Sequence, residues 1–237
     1  MTRTLLSRPA LASVLAALLL AGCGDTEPNA DGSPAPRAQC SYVDAGPAPE
    51  DDVDKPDGDP PGDQPTELTI STDKGDIPVK LDAAGAPCAV NSFVSLAEQG
   101  YYDDTQCHRL TTEGYFVLQC GDPTGTGSGG PGYTFADELV ADDPRLQPCG
   151  DDLGQQFCTY NPGIVAMANA GPDTNGSQFF LVYGASRFPP DYTVLGTMDA
   201  AGLKTVKEIA AAGIGTSNGM GPGDGAPKEP VTITAVK

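Results

Sequence analysis

Few residues of this sequence have the types and spacing that enzymes use for covalent or metal-assisted catalysis. His108 is the only histidine, and the seven cysteines contain no Cys-x-x-Cys pair, so a zinc site is not expected. Residues 125–130, Gly-Thr-Gly-Ser-Gly-Gly, are similar to a phosphate-binding loop, but no Lys-Ser or Lys-Thr pair follows them. We therefore expect tight turns there, and no catalytic triad, metal or cofactor.

The charge of the chain argues against two classes of partner. It has 32 acidic and 13 basic residues, a net charge of −19. Nucleic-acid binding needs a basic face, and so does electrostatic binding to an anionic membrane surface. We expect neither, and we interpret the acidity as a source of solubility.

The N-terminal residues are typical of an export signal with a lipid attachment site. Arg3 and Arg8 precede an apolar run at 11–20 that is too short to span a bilayer as a helix. The run ends in Leu-Ala-Gly-Cys, which resembles a bacterial lipobox. We predict that residues 1–22 are a lipoprotein signal peptide and that Cys23 is lipidated. The alternative is an ordinary secretory signal with a chance cysteine.

Residues 23–66 are expected to form a disordered tether. They are rich in Pro, Asp, Gly and Ala, and few apolar side chains could offset the entropy of ordering them. Such a coil would hold the rest of the protein about 35–40 Å from the anchor. The short apolar stretch at 40–43, Cys-Ser-Tyr-Val, is the exception and could dock onto the folded domain.

The hydrophobic pattern after residue 67 predicts many short strands and two helices. Residues 73–75, Asp-Lys-Gly, separate two alternating segments and indicate a hairpin turn. This combination suggests a closed antiparallel barrel. The predicted strands are at 68–70, 77–81, 116–118, 163–167, 179–183, 192–195 and 231–235, and the apolar helix faces are at 90–97 and 203–210.

Three segments resemble the cyclophilin family of peptidyl-prolyl cis/trans isomerases, and the resemblance covers roughly residues 67–237. The first is Cys-His-Arg-Leu at 107–110 with 115–122, the second is 123–138, and the third is 162–180. Their order and spacing match the family. The resemblance implies a mainly β domain, a closed eight-stranded antiparallel barrel capped by two α-helices, with a substrate groove on its outer surface.

The implied chemistry is rotation about an X-Pro peptide bond. Its barrier of roughly 18–20 kcal/mol comes from amide resonance, and twisting localises a lone pair on the prolyl nitrogen. A fixed cation that donates to this nitrogen binds the twisted state better than either planar state. By the resemblance, Arg109 is that cation and His108 is structural. We expect Arg109→Ala to change folding little, because a groove arginine makes few core contacts.

The implied substrate site is a groove with an apolar pocket, polar anchoring residues and an aromatic far wall. Gln178 would brace Arg109 or the substrate, with a buried structural amide as the alternative. Phe188 stands where many cyclosporin-sensitive members carry Trp, so we expect weak cyclosporin binding. The pocket is formed by Phe116, Val117 and Phe180; the anchors are Gln119, Ala168, Asn169, Ala170 and Gln178; and the far wall is Phe188 and Tyr192.

The cysteines that remain without Cys23 are six, and sequence alone leaves fifteen connectivities open. The resemblance puts Cys107 and Cys120 on neighbouring strands. It implies the pairs Cys107–Cys120, Cys149–Cys158 within an insertion at 139–161, and Cys40–Cys88. Free buried thiols are the alternative.

The predicted function is a monomeric prolyl isomerase that acts on proline-containing, exported polypeptides. Its expected location is the extracytoplasmic face of a bacterial cell membrane, reached only through the lipid anchor. A proline-binding module or chaperone with little turnover is one alternative. A structural envelope lipoprotein is another, and it would lack the groove.

Overall fold

The computed structural model describes residues 38–46 and 53–237. No helix in these two stretches is long and apolar enough to cross a bilayer. The signal peptide, Cys23 and much of the tether lie outside the described residues. The elements are β1 (Val43–Asp44), β2 (Glu67–Thr72), β3 (Gly75–Leu81), α1 (Pro87–Glu98), β4 (Arg109–Thr111), β5 (Val117–Cys120), β6 (Tyr133–Thr134), a 3₁₀ helix (Pro144–Leu146), β7 (Cys149–Asp152), β8 (Gln155–Tyr160), β9 (Ile164–Met167), β10 (Phe179–Val182), β11 (Ser186–Phe188), β12 (Val194–Met198), α2 (Ala200–Ala211), β13 (Ile214–Ser217), β14 (Asp224–Pro227) and β15 (Ile233–Val236).

Ten strands form one antiparallel sheet, in the order β13-β14-β4-β5-β10-β9-β12-β3-β2-β15. The chain before β4 also bonds to the chain at the start of β15. The N–H groups of Asp104 and Cys107 donate to the carbonyls of Ile233 and Val231 at 2.8 and 3.0 Å. The mainly β architecture with two helices agrees with the fold class predicted from the sequence.

Side chains stabilise the N-terminal start of each helix. Pro87 occupies the first turn of α1, and the Glu138 carboxylate accepts the N–H groups of Cys88 and Ala89 at 2.9 and 2.8 Å. These first-turn groups have no partner within a helix, so a distant side chain supplies one. Asp199 caps α2 by accepting the Gly202 N–H at 2.7 Å.

The hydrophobic interior has two parts. The larger part lies between the sheet and the helices, and Phe93 of α1 packs edge-on against Phe179 of β10 at 5.3 Å. The smaller part lies beneath the candidate site described below. It contains Val117, Leu146, Cys158, Tyr160, Ile164, Ala166, Phe180, Val182 and Val194.

The stretch expected to be a disordered tether is partly packed onto the domain, over residues 38–46 and 53–66. β1 pairs with β6, and the Tyr42 ring contacts the rings of Tyr133 and Phe135 at 5.5 and 5.7 Å. The Tyr42 hydroxyl donates to the Cys88 carbonyl at 2.9 Å, next to the Cys40–Cys88 disulfide. The Tyr42 ring and the disulfide thus offset the conformational entropy lost when this polar segment is ordered. The packed domain therefore begins before residue 67.

The insertion at 139–161 forms a hairpin that joins β11 in a separate sheet of three strands, ordered β11-β8-β7. Its 3₁₀ helix is fixed by Arg145, which pairs with Asp82 at 2.7 Å and with Asp143 at 2.6 Å. The disulfides of the structure are the three pairs expected from the resemblance: Cys40–Cys88, Cys107–Cys120 and Cys149–Cys158.

Candidate active site

Arg109 begins β4 and is held by side chains from two directions. Its Nε and Nη2 donate to the two carboxylate oxygens of Asp224, on β14, at 2.9 and 2.7 Å. Nη2 also donates to the Tyr115 hydroxyl at 2.7 Å, and Nη1 donates to Gln119 Oε1 at 3.2 Å. The bonds to Asp224 raise the pKa of Arg109, so the side chain remains a cation.

An apolar pocket lies against this cation. Val117 and Gln119 reach it together because alternate residues of a strand share a face. Phe180 joins them because it pairs with Gln119 across β10 and β5. The pocket has a volume of about 300 Å³ and is lined by Arg109, Tyr115, Val117, Gln119, Ala168, Asn169, Phe180, Phe188 and Tyr192.

Aromatic rings form the floor and far wall of the pocket. The ring of Phe180 lies 5.3 Å from that of Tyr192 and 5.8 Å from that of Phe188, both edge-on. Phe188 also contacts Tyr115 at 5.2 Å. Edge-to-face packing at these separations is favourable and limits ring movement. The pocket therefore offers a rigid apolar surface next to a fixed charge.

A second cavity, of about 770 Å³, adjoins the pocket, and both are lined by Gln119, Ala168 and Asn169. We refer to the two together as the groove. Ala170 and Gln178 line only the second cavity, as does Ala45 from the N-terminal segment. One residue of the segment expected to be the tether therefore lines the groove.

Gln178 links the two cavities through hydrogen bonds. Its Oε1 accepts from Gln119 Nε2 at 2.9 Å, and its Nε2 donates to the carbonyls of Gly127 and Gly129 at 3.0 and 2.9 Å. Gln178 therefore acts on Arg109 only through Gln119. Asn169 is held in turn by its Nδ2, which donates to the Asp191 carbonyl at 2.8 Å.

The glycine-rich run forms tight turns, as expected. Gly125 and Gly127 have φ values of +65° and +84°, which favour glycine. The buried carboxylate of Asp122 accepts the N–H groups of Thr124 and Gly127 at 2.8 and 2.6 Å, so the loop is folded around an acid.

His108 lies beside this loop. Burial lowers its pKa, with the charge of Asp122 opposing, and neither ring nitrogen has a hydrogen-bond partner among the described residues. The structural role of His108 stays a prediction.

The expectation that Phe116 lines the pocket is wrong. Its ring contacts Tyr183 at 5.9 Å and lies against Gly184, and its N–H donates to Ser186 Oγ at 2.8 Å. Phe116 precedes Val117 and points to the opposite side of the chain, so the pocket position next to Val117 is filled by Tyr115 instead. Sequence reasoning also missed Asp224, which has no local motif to mark it.

The fold is that of the cyclophilin family. Residues 67–237 match the family described as "Cyclophilin type peptidyl-prolyl cis-trans isomerase/CLD", and the chain belongs to this family. Among curated relatives, "Probable peptidyl-prolyl cis-trans isomerase B" of Mycobacterium tuberculosis is 49% identical over 180 residues, covering 73% of this chain and 54% of the relative.

Its counterpart from Mycobacterium leprae is 49% identical over 170 residues, covering 71% of this chain and 55% of the relative. This chain thus spans about half the length of these relatives. A crystal structure of a Cryptosporidium parvum cyclophilin-type isomerase superimposes with a TM-score of 0.56 at 29% identity, covering 72% of this chain and 95% of the other.

Proposed function

We propose that this protein is a peptidyl-prolyl cis/trans isomerase and that Arg109 provides the catalytic charge. The observation that carries the proposal is the position of the Arg109 guanidinium, fixed by four hydrogen bonds beside an aromatic pocket of about 300 Å³. A prolyl ring needs an apolar pocket of this kind, and the adjoining peptide nitrogen would then lie close to the cation.

The proposed mechanism stabilises the twisted peptide without covalent chemistry. Rotation breaks amide conjugation and leaves a lone pair on the prolyl nitrogen. An N–H of Arg109 donates to that lone pair, which is available only in the twisted state. The interaction is therefore stronger in the transition state than in either planar isomer, and the barrier falls.

The proposed substrates are proline-containing polypeptides. A second crystal structure of the Cryptosporidium parvum protein was obtained in the presence of the dipeptide Ala-Pro, and it superimposes with a TM-score of 0.55 at 29% identity. In this chain, Gln119 would hold a substrate carbonyl, and the backbone of residues 168–170 would bind the extended peptide.

We also propose that the eight strands from β4 to β15 in the sheet order close into a barrel. The hydrogen bonds of Asp104 and Cys107 to Ile233 and Val231 support closure. In hydrogen exchange, the amides of Asp104 and Cys107 should be protected as well as those of the central strands. Rapid exchange at both amides would indicate an open sheet.

For the N-terminal part, which lies outside the described residues, we propose removal of residues 1–22, lipidation of Cys23 and display on the outer face of a bacterial cell membrane. Three disulfides support an oxidising compartment. Exported protein should have the mass expected for cleavage before Cys23 and at least two acyl chains, since one chain binds membranes only marginally. Soluble, unmodified protein after export would contradict this.

The isomerase proposal is tested by NMR exchange spectroscopy on an Ala-Pro-containing peptide. The chain from residue 24 onward should act as a monomer and accelerate interconversion that otherwise takes roughly 10–100 s. A chain that broadens peptide resonances without accelerating exchange would be a proline-binding module instead. A chain that neither binds the peptide nor accelerates its interconversion would contradict the proposed function.

A further inference from the structure

The guanidinium of Arg109 has almost no free hydrogen-bonding capacity. Arginine has five N–H donors: one on Nε and two on each Nη. Asp224 takes the Nε hydrogen and one of Nη2, Tyr115 takes the other of Nη2, and Gln119 takes one of Nη1. One Nη1 hydrogen is left without an acceptor among the described residues, so it is the donor available to a substrate.

The Asp224 carboxylate determines which donor stays free. It binds the Nε–Nη2 edge with both oxygens, a bidentate geometry that fixes the plane of the guanidinium as well as its position. Its side chain is only 7% exposed, while that of Arg109 is 22% exposed. The acid is therefore the buried, less mobile partner, and the arginine is held against it.

Asp224 is itself fixed by neighbours. Asn218 Nδ2 donates to its Oδ1 at 2.6 Å, and the Tyr115 hydroxyl lies 3.4 Å from its Oδ2. β14 pairs with β4 so that Asp224 is opposite Thr111, two residues from Arg109 on the same strand. The register of the sheet therefore places the Asp224 carboxylate beside the Nε–Nη2 edge of Arg109.

We propose that Asp224 is a positioning residue for catalysis: it holds the Nε–Nη2 edge of Arg109 and reserves Nη1 for the prolyl nitrogen. This inference rests on the proposed isomerase function. Asp224 does not touch the pocket, so it acts on the substrate only through Arg109. Without Asp224, the guanidinium can rotate. Each turnover then loses conformational entropy when the guanidinium is oriented toward the prolyl nitrogen in the transition state.

The test compares Asp224→Ala and Asp224→Asn with the parent in the chain from residue 24 onward. By NMR exchange on the proline peptide, Asp224→Ala should lower kcat by about tenfold or more and change KM by less than about threefold, because alignment matters most in the twisted state. The kcat of Asp224→Asn should lie between those of the parent and Asp224→Ala, because the amide oxygen can still accept one of the two hydrogen bonds from Arg109.

Loss of fold is separated from loss of positioning by a matched control and a second readout. Asp143→Ala removes another buried carboxylate bound to an arginine, Arg145, outside the groove. It should lower stability but leave kcat within about twofold once folded fractions from urea titration are applied. The ¹⁵N–¹H resonance of Arg109 Nε should shift and broaden in Asp224→Ala and stay in place in Asp143→Ala.

These experiments separate the positioning role of Asp224 from the isomerase activity on which that role depends. A parent chain without isomerase activity would overturn both. An active parent whose folded Asp224→Ala variant keeps its kcat, or whose Arg109 Nε resonance is unchanged, would overturn the positioning role alone. Equal losses of kcat in Asp224→Ala and Asp143→Ala would also overturn it, because a general loss of stability would explain both.

Discussion

Replacing Arg109 with alanine should remove most of the catalysis. Among the described residues, Arg109 is the only cation that lines the apolar pocket. We expect its loss to lower kcat/KM by at least about a hundredfold, equivalent to about 2.7 kcal/mol of transition-state stabilisation. KM should change less than kcat, because the prolyl ring is bound mainly by the aromatic rings. The effect is specific to the twisted peptide, in which the nitrogen can accept a hydrogen bond.

The structure alters the expectation that this substitution would leave folding unchanged. Asp224 is nearly buried and loses two hydrogen bonds when Arg109 is removed. A buried acceptor left without a charged partner typically costs on the order of 1–3 kcal/mol of unfolding free energy. The double variant Arg109→Ala with Asp224→Ala removes both charges and should recover part of this loss.

The assay must therefore tolerate destabilised variants. NMR exchange on a proline peptide uses no protease, so partial unfolding does not expose the enzyme to digestion. Arg109→Lys is an informative third variant, because it keeps the charge but cannot bind a carboxylate bidentately. If the double variant is folded and isomerises the peptide at nearly the parental rate, Arg109 is not the catalytic charge and the mechanism proposed above is wrong.

Three further predictions follow from other contacts. Hydrogen bonds from Arg109 lower the pKa of Asp224. The ionised Asp224 therefore stabilises the fold at neutral pH, and this stabilisation is lost as the pH falls below about 4. In Asp224→Asn, the unfolding free energy measured in urea should depend less on pH in that range. Tyr42→Ala should lower the unfolding free energy by about 1–3 kcal/mol, because the ring contacts and the hydroxyl hydrogen bond are lost; urea unfolding measures this, and a variant as stable as the parent would contradict it. Phe188→Trp adds an N–H donor worth about 1 kcal/mol to the far wall and should tighten cyclosporin binding several-fold by calorimetry; unchanged affinity would contradict it.

Much of the fold could be predicted because its elements bury one face. The alternating segments around residues 73–75 form the β2–β3 hairpin, with Thr72 paired to Gly75. The apolar stripes at 90–97 and 203–210 lie within α1 and α2. Where neither face is buried, periodicity fails. β7 and β13 have mostly exposed residues, and no pattern indicated them.

The site was predictable where a residue type and a strand period agreed. Val117, Gln119 and Phe180 come together in the structure because of alternation on β5 and its pairing with β10. Tyr115, and not Phe116, lines the pocket because of the way the turn after β4 enters β5, and residue types do not encode that geometry. Asp224 is one of 32 acidic residues and is 115 positions from Arg109, so only the sheet order identifies it.

One strand of the insertion, β8, packs behind the far wall of the pocket. Phe188 pairs with Cys158 across β11 and β8, and the Cys149–Cys158 disulfide joins β8 to β7. Tyr160 is fully buried behind the wall, and its ring lies 5.4 Å from that of Phe188 and 6.2 Å from that of Tyr192. The main sheet therefore positions the cation and the pocket floor, while β8 packs behind the opposing rings. The pairing with β11 and the ring contacts of Tyr160 hold β8 there, although no residue of β8 lines the pocket.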